Sequence, residues 1–309
     1  MTFGANATQA RVNTLMQNIV YWNTSDAPPA SVQIDWTFDD GGDSVTTQGS
    51  PGVLQANGST TVNITATNDA PDVTLPASFP TYTENGPAVA VDANLTVTDA
   101  DSPNLTGATF RITTGYQNGF DELVFTNQLG ISGTWSAATG TLTLSGTASV
   151  ADYQTAMRTV AFQTAGDAPN TTCYVEIIAN DGQDLSTVDT KIVQVTAVND
   201  LPTTNDVTAS GLEDDPSVAI TLTGSDIDGT VNNFRIDSLP SNGTLYLNAG
   251  LTVAVSQGFN YAATGEQLTL YFVRILTECQ TTFQYSARDN QNAVDPTPGT
   301  ATINIGRRQ

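Results

Sequence analysis

Residues 67–71 read TNDAP, and a second copy of this pattern, VNDLP, stands at residues 198–202. Each copy places an Asn-Asp pair two residues before a proline, which is a combination typical of turns and of connections between structural units. The stretches on either side of each copy are rich in threonine and valine, which are strand formers. The two segments therefore predict junctions between modules.

The sequence before the two junctions is itself repeated. DAPPASVQIDWTFDDGG begins at Asp26, and DAPNTTCYVEIIANDGQ begins at Asp167. Extended towards the N-terminus, residues 1–43 match residues 142–184 without a gap. Repetition over such a length indicates tandem modules.

One helix and several strands are legible within the repeat. Residues 139–146, TGTLTLSG, alternate strictly and predict a strand. Ser149 with Asp152 three positions later resembles a capping box, which predicts the start of a short helix. One buried stripe of this helix is expected to comprise Tyr153, Met157 and Val160.

The same pattern recurs in the first copy, and further strands follow in the second. After Thr8 the equivalent buried stripe is Val12, Leu15, Met16 and Ile19. Strands are predicted around residues 174–178 and 191–197, on either side of the turn NDGQD. A single short helix among many strands predicts an all-β chain of tandem β-sandwiches.

The repeats divide the chain into three parts. Residues 1–69 form an incomplete module, residues 70–198 a full one, and residues 199–309 a module of a second subtype with a different middle. The first part lacks a counterpart of about residues 72–141, which contain the opening strands. We expect it either to belong to a longer repeat protein or to take its missing strands from a neighbouring copy, because an open strand edge pairs with other chains.

Composition excludes several classes of protein. Acidic residues outnumber basic ones 31 to 9, the formal net charge is −22, and histidine is absent. Such a surface repels nucleic acid and anionic membranes. Without histidine there is no Ser-His-Asp triad, Cys-His pair or histidine-ligated metal. The acidic, threonine-rich composition favours an extracellular β-protein.

Neither a membrane span nor a disulfide framework is indicated. No apolar run reaches about 18 residues, and the N-terminus lacks the pattern of a signal peptide. The two cysteines, Cys173 and Cys279, fall in different modules. We expect Cys173 to be a buried small hydrophobic residue.

Several phrases of the sequence, in order, resemble one known family. TYTENGPAVAVDANLTVTDADSPNLTGA in the second module, ASGLEDDPSVAITLTGSDIDG in the third, SLPSNGTLYLNAG and the ending DPTPGTATINI are similar to tandem cadherin-like repeats of large bacterial surface adhesins. The resemblance covers nearly the whole chain. It implies Ig-like β-sandwich modules with calcium bound between them.

Calcium takes six to eight oxygen ligands, so the resemblance selects acidic and amide residues near the junctions. For the second junction the implied ligands are Asn199, Asp200, Asp226, Asp228, Asp289 and Glu84. For the first junction they are Asn68, Asp69, Asp99, Asp101 and Asp181. The alternative is that these residues only form turns, since Asn and Asp tolerate turn conformations and bond their own backbone.

Glycosylation is a further expectation for a surface protein. Eight N-x-S/T sequons occur, at Asn6, Asn23, Asn57, Asn63, Asn94, Asn104, Asn170 and Asn242. The number is only slightly above chance for this composition. Trp22, Trp36 and Trp135 stand within strand patterns and are expected in cores.

Three functional classes remain to be weighed. The first is a structural extracellular protein, either the protomer of a surface fibre that self-associates by strand complementation or a rod segment of an adhesin. The second is a binding module for a glycan or protein partner, which would show a row of exposed aromatic rings on a sheet face. The third is a carboxylate-based enzyme, which the position of the acidic residues at module ends disfavours.

Overall fold

A computed structural model describes residues 8–39, 55–275 and 279–307 of the chain. Strands dominate these residues, and the two α-helices have eight residues each. The prediction of an all-β chain of sandwich repeats with one short helix in each of the first two is confirmed.

The described part of the first repeat is one helix and one strand pair. They are α1 (Gln9–Met16), β1 (Ser31–Asp39) and β2 (Gln55–Asn63). β1 and β2 pair in antiparallel register over nine residues each and form a sheet of two strands.

The second repeat is a complete sandwich. Its elements are β3 (Asp72–Thr74), β4 (Thr81–Thr83), β5 (Val89–Ala90), β6 (Thr96–Thr98), β7 (Asn104–Ile112), β8 (Asp121–Val124), β9 (Ser132–Ser136), β10 (Thr141–Ser149), α2 (Val150–Met157), β11 (Ala161–Thr164), β12 (Thr172–Asn180) and β13 (Asp189–Thr196). One sheet has the order β4-β13-β12-β7-β10-β9, and β5-β11-β8 and β3-β6 form two smaller sheets.

The third repeat is a second complete sandwich. Its strands are β14 (Thr203–Thr204), β15 (Val207–Leu212), β16 (Val218–Ser225), β17 (Val231–Ile236), β18 (Gly243–Tyr246), β19 (Asn260–Ala262), β20 (Gln267–Arg274), β21 (Cys279–Asp289) and β22 (Gly299–Gly306). The sheets have the orders β14-β16-β20-β18 and β15-β22-β21-β17-β19. In both complete sandwiches an early strand pairs in parallel with the last one, β4 with β13 and β15 with β22.

Each complete sandwich has its own hydrophobic core. In the second repeat α2 starts where the sequence predicts, because the Ser149 hydroxyl accepts a hydrogen bond from the Asp152 backbone N–H at 3.1 Å. Tyr153, Met157 and Val160 are fully buried, so the predicted stripe is confirmed. Burial of Cys173 is likewise confirmed, and it raises the pKa of the thiol to about 12. The side chain of Cys279 lies outside the described residues.

The corresponding stripe in the first repeat is not buried, and there the prediction is wrong. Leu15 and Ile19 are 37% and 53% exposed, and Val12 and Met16 are only half-buried. The helix itself forms with Thr8 as its N-cap. Burial fails because no described element packs over the stripe in the way that the sheets of the second repeat cover α2.

The expectation that the tryptophans lie in cores is met in part by Trp135, which packs against the core of the second sandwich, and is wrong for Trp22 and Trp36. Trp22 is 85% exposed, and Trp36 and Trp135 are half-buried. Trp135 packs against Tyr116 at the rim of the second sandwich, with ring centroids 6.3 Å apart. Trp22 and Trp36 belong to the first repeat, in which no described residue before Pro71 is buried.

Candidate cation site at the repeat junctions

Both junctions bind the following sandwich through the same pair of contacts. At the first, the Asn68 side-chain amide donates to Asp181 Oδ2 at 2.8 Å. At the second, the Asn199 amide donates to Asp289 Oδ2 at 2.7 Å. Asp181 comes directly after β12, and Asp289 is the last residue of the equivalent strand β21. The sandwich that comes after each junction therefore holds the linker asparagine.

A backbone contact repeats in the same way. The Asp69 N–H donates to both carboxylate oxygens of Asp101 at 3.3 Å, and the Asp200 N–H donates to Asp228 Oδ2 at 3.2 Å. The second aspartate of each Asp-x-Asp pair therefore orients the linker backbone. Every residue that the resemblance implies at the two junctions, Glu84 included, lies close to its junction.

The second junction receives carboxylates from the preceding sandwich as well. Glu84 is buried, and its Oε2 accepts a hydrogen bond from the Val198 N–H at 2.7 Å. Ligand oxygens of Glu84, Asp167 and Asp200 lie within 4.8 Å of one another. The junction is thus lined by acidic groups from both sandwiches.

Asp167 is the residue that the sequence reading missed. It heads the repeated phrase DAP, which recurs at Asp26, but the phrase reads as a loop start and no linker lies near it in sequence. Folding places it beside Asp200 because residues 165–171, between β11 and β12, lie at the end of the second sandwich that faces the linker.

Buried oxygens without a hydrogen-bond donor are concentrated at the second junction. Among the described residues they are Glu84 Oε1, Asn199 Oδ1, Asp200 Oδ2, both carboxylate oxygens of Asp226 and Asp228 Oδ1. The described ion pairs, Lys191–Asp92 and Arg235–Asp237, lie elsewhere. Buried polar atoms are normally satisfied, so an oxygen-rich pocket of this kind fits a cation with oxygen ligands.

The electrostatics of this cluster agree with its geometry. Burial, and then the negative charges of Asp228 and Asp289, raise the pKa of Asp226. Burial together with the charges of Asp167 and Asp228 raises the pKa of Asp200. A carboxylate whose neighbours are other carboxylates disfavours its own ionised form, and a bound cation would remove that penalty.

Gly229 allows the carboxylate of Asp226 to lie against the backbone. A Cβ atom at this position would stand 2.5 Å from both Asp226 Oδ2 and Asn290 Oδ1. Any side chain here would displace the carboxylate, so the glycine of SDIDG keeps the site open.

The first junction is more fully satisfied by protein donors. Asn68 Oδ1 accepts a hydrogen bond from the Gln183 side chain at 2.8 Å, whereas Asn199 Oδ1 has no donor. Burial alone would raise the pKa of Asp181. The pKa is lowered instead, because the carboxylate accepts hydrogen bonds from the backbone of Asp184 and Gln183 and from the Asn68 amide. Only Asp99 Oδ2 remains without a donor here among the described acidic residues that the sequence implies. The second junction is therefore the better cation site.

The predicted sequons lie mostly on the surface. Asn57, Asn63, Asn94, Asn104 and Asn170 are exposed, and Asn23 and Asn242 are half-buried. Asn6 lies outside the described residues. The strongly exposed aromatic side chains, Tyr21, Trp22, Phe79, Phe120 and Phe259, stand in loops, so those described make no row on a sheet face.

No family model matches the chain. Over 113 residues it is 37% identical to part of halomucin from Haloquadratum walsbyi, which covers 35% of this chain and 1% of halomucin. In the described part of the chain no helix is long and apolar enough to cross a membrane.

Cadherin ectodomains are among the solved structures to which the chain is similar. Protocadherin gamma B2 domains 1–5 align over 91% of this chain and 47% of their own at 15% identity, with a TM-score of 0.38. Mouse cadherin-23 EC22–24 aligns over 91% of this chain and 76% of its own at 13% identity, with a TM-score of 0.37. The human desmocollin-1 ectodomain aligns over 90% of this chain and 47% of its own at 13% identity, with a TM-score of 0.38. All three scores are below 0.5, so the fold of tandem β-sandwiches is assigned on the strand order and the repeated junctions of the chain itself.

Proposed function

We propose that the chain is a structural rod segment of an extracellular surface protein, in which calcium at the junctions holds successive sandwiches in line. The observation that carries the proposal is the set of buried oxygens without donors at the second junction. The proposed modules are residues 1–69, 70–198 and 199–309.

Residues of both sandwiches and of the linker would hold the cation. Glu84 and Asp167 come from the second sandwich, Asn199 and Asp200 from the linker, and Asp226, Asp228 and Asp289 from the third. Calcium would supply positive charge and many oxygen contacts at once. A cation shared by two sandwiches and their linker restrains the angle between them, which is the property that a rod requires.

The composition and the match to halomucin support an extracellular setting. A net charge of −22 keeps an extended protein soluble and apart from other acidic surfaces. Halomucin is by its name a mucin. A non-enzymatic role is proposed because the cluster of neighbouring carboxylates lies at the junction between two sandwiches, where a structural cation would use it.

Small-angle X-ray scattering tests the rod directly. In millimolar calcium we expect a long, narrow particle, because a cation at the second junction fixes the two complete sandwiches end to end. In chelator the distribution of interatomic distances should broaden, since mutual repulsion of the junction carboxylates favours bent and open arrangements. Identical profiles in calcium and in chelator would contradict the proposed role of the junction.

Self-association by strand complementation into a fibre is the second candidate, and the open edge of β1 favours it. On the described residues β1 has one pairing partner, β2, whereas its counterpart β12 has two. The edge of a strand that has one neighbouring strand offers hydrogen-bonding groups to another chain. Light scattering over a range of concentrations should then show growing particles, and a constant monomer mass at every concentration would contradict the candidate.

A further inference from the structure

We propose that Asn118 is a modification site, at which the side-chain amide converts spontaneously to aspartate and isoaspartate, and that the fold selects it from four candidates. Asn-Gly pairs stand at residues 57–58, 85–86, 118–119 and 242–243. Glycine has no side chain to obstruct attack on the asparagine before it. Local sequence therefore makes all four pairs reactive, and tertiary structure decides between them. Such a modification is independent of the calcium site and of the role proposed above.

The reaction needs only the chain and water. The backbone nitrogen of the glycine loses its proton and attacks Cγ of the asparagine, so that a cyclic imide forms and the side-chain nitrogen leaves as ammonia. Water then opens the ring at either of its two carbonyl groups. One opening yields aspartate, and the other yields isoaspartate, whose backbone runs through the former side chain and is longer by one carbon. A reactive pair must therefore have a glycine N–H free of hydrogen bonds, a backbone that can rotate, and access to water.

Asn118 and Gly119 meet all of these conditions. Both residues are exposed, in the turn between β7 and β8. Within the described ranges no hydrogen bond engages the Gly119 N–H, whereas the N–H groups of Phe120 and Asp121 both donate to the Gln117 carbonyl. Apart from its chain neighbours, no described atom lies within 4 Å of the position that a Cβ at Gly119 would take. The attacking nitrogen is thus free, and the backbone around it has room to rotate.

The pair at residues 85–86 is blocked at its nitrogen. The Gly86 N–H donates to the Thr83 carbonyl at 2.9 Å and so closes a tight turn. A Cβ at Gly86 would stand 2.8 Å from the same oxygen, so this glycine lies directly against it. An amide proton that is held in a hydrogen bond is lost less readily, because the bond must first be broken. Asn85 should therefore react slowly although it is exposed.

The pair at residues 242–243 is held at the start of a strand. Gly243 is the first residue of β18 and pairs with Arg274, and the Asn242 carbonyl accepts a hydrogen bond from the Ile275 N–H at 3.0 Å. A Cβ at Gly243 would stand 2.4 Å from the ring of Phe272. Rotation of this backbone would break the pairing with β20 and collide with the ring, so ring closure is disfavoured.

The pair at residues 57–58 lies inside β2. Asn57 stands opposite Thr37 of β1, and its side-chain oxygen accepts a hydrogen bond from the Thr37 hydroxyl at 2.8 Å. Gly58 stands opposite Trp36. Formation of the imide would require the strand to leave its ladder and the asparagine side chain to leave its partner. This pair is therefore protected by the sheet.

Conversion of Asn118 would loosen the end of the second sandwich that faces the linker. The side chain of Gln117, the residue before the pair, donates to the Ala168 carbonyl at 3.2 Å and accepts from the Asn170 N–H at 3.3 Å. The Gln117 N–H donates to the buried carboxylate of Asp121 at 2.7 Å. The turn thus holds residues 165–171 in place. A longer backbone at position 118 pulls these contacts apart, so the second sandwich should lose stability when isoaspartate forms.

Peptide mapping by mass spectrometry of the aged chain tests the proposal. The full chain is kept in chelator at mildly alkaline pH, and the acid form at each of the four pairs is followed with time. In the folded chain we expect residue 118 to convert severalfold faster than residues 57, 85 and 242. In guanidinium chloride the four rates should converge, since the fold no longer protects three of them. Equal rates in the folded chain, or faster conversion of another pair, overturn the proposal.

Asn118→Gln is the matched control, because glutamine keeps the amide but its longer side chain closes a ring far more slowly. The variant should stay unconverted at this position, and after ageing it should keep the melting temperature of the fresh chain. The aged unaltered chain should melt at a lower temperature, in step with the isoaspartate that has formed at residue 118. An equal fall in melting temperature for both aged chains, or no fall after conversion, contradicts the link between this turn and the stability of the second sandwich.

Discussion

Replacing Asp226 by asparagine should abolish the stabilisation that calcium gives the chain. In chelator the same replacement should slightly stabilise the chain. For the unaltered chain, calcium at a hundred times its dissociation constant adds about 2.7 kcal/mol by linkage. For sandwiches of this size we expect a rise in melting temperature of about 10–12 °C. The Asp226→Asn variant should show little of that rise, because both oxygens of Asp226 face the cluster without donors.

In chelator the variant should melt slightly above the unaltered chain. Asp226 lies beside the charges of Asp228 and Asp289, which together with burial raise its pKa. Removing one of three mutually repelling charges relieves that repulsion. Differential scanning calorimetry with and without calcium measures both effects.

Asp35→Asn is the matched control, because it removes the same charge from an exposed position in β1, a strand that supplies none of the proposed ligands. It should keep the full response to calcium. A calcium response retained by the Asp226 variant would refute the proposed site, and loss of the response in the Asp35 variant would show that net charge alone governs it.

The second large effect is expected from Lys191→Met. Lys191 is the chain's one lysine, and its Nζ lies 2.7 Å from Asp92 Oδ2 with both side chains at most 3% exposed. The Lys191 ammonium donates hydrogen bonds to the Pro76 carbonyl at 2.7 Å and to Ser78 Oγ at 3.0 Å. Asp92 Oδ2 accepts no hydrogen bond of good geometry, so the attraction between the two charges holds it. The variant leaves the Asp92 charge buried and unpaired, which costs about 3–5 kcal/mol.

Urea unfolding followed by circular dichroism measures this loss. Because the pair lies within the second sandwich, the transition of the second repeat should move to lower urea while that of the third stays in place. The double variant Lys191→Met with Asp92→Leu should recover much of the stability, since no unpaired charge remains.

Arg235→Met provides the comparison at a partly exposed ion pair. Arg235 Nε lies 2.6 Å from Asp237 Oδ1, but the arginine side chain is 42% exposed. Its removal should cost about 1 kcal/mol or less. Equal losses of stability in the Lys191→Met and Arg235→Met variants would contradict the argument that burial makes the Lys191–Asp92 pair the more important one.

Local features of the fold could be predicted from the sequence because local interactions determine them. The alternation of residues 139–146 predicts β10, and Ser149 followed by Asp152 predicts the start of α2 at the correct residue. The repeated Asn-Asp segments locate both junctions, since turn-forming residues act through their own backbone. Most of the junction residues follow from the resemblance, because they lie at fixed places in its motifs.

What the sequence could not determine is which of two similar segments is covered. α1 and α2 share a cap and an apolar stripe, yet only α2 is buried, because burial depends on strands that are distant in sequence. Asp167 joins Glu84 and Asp200 for the same reason, across separations that no local pattern records. Local sequence thus determined the elements, the repeats and the acidic composition of the junctions. Tertiary structure decided which apolar faces are enclosed and which carboxylates meet without donors, since both depend on the packing of whole sandwiches.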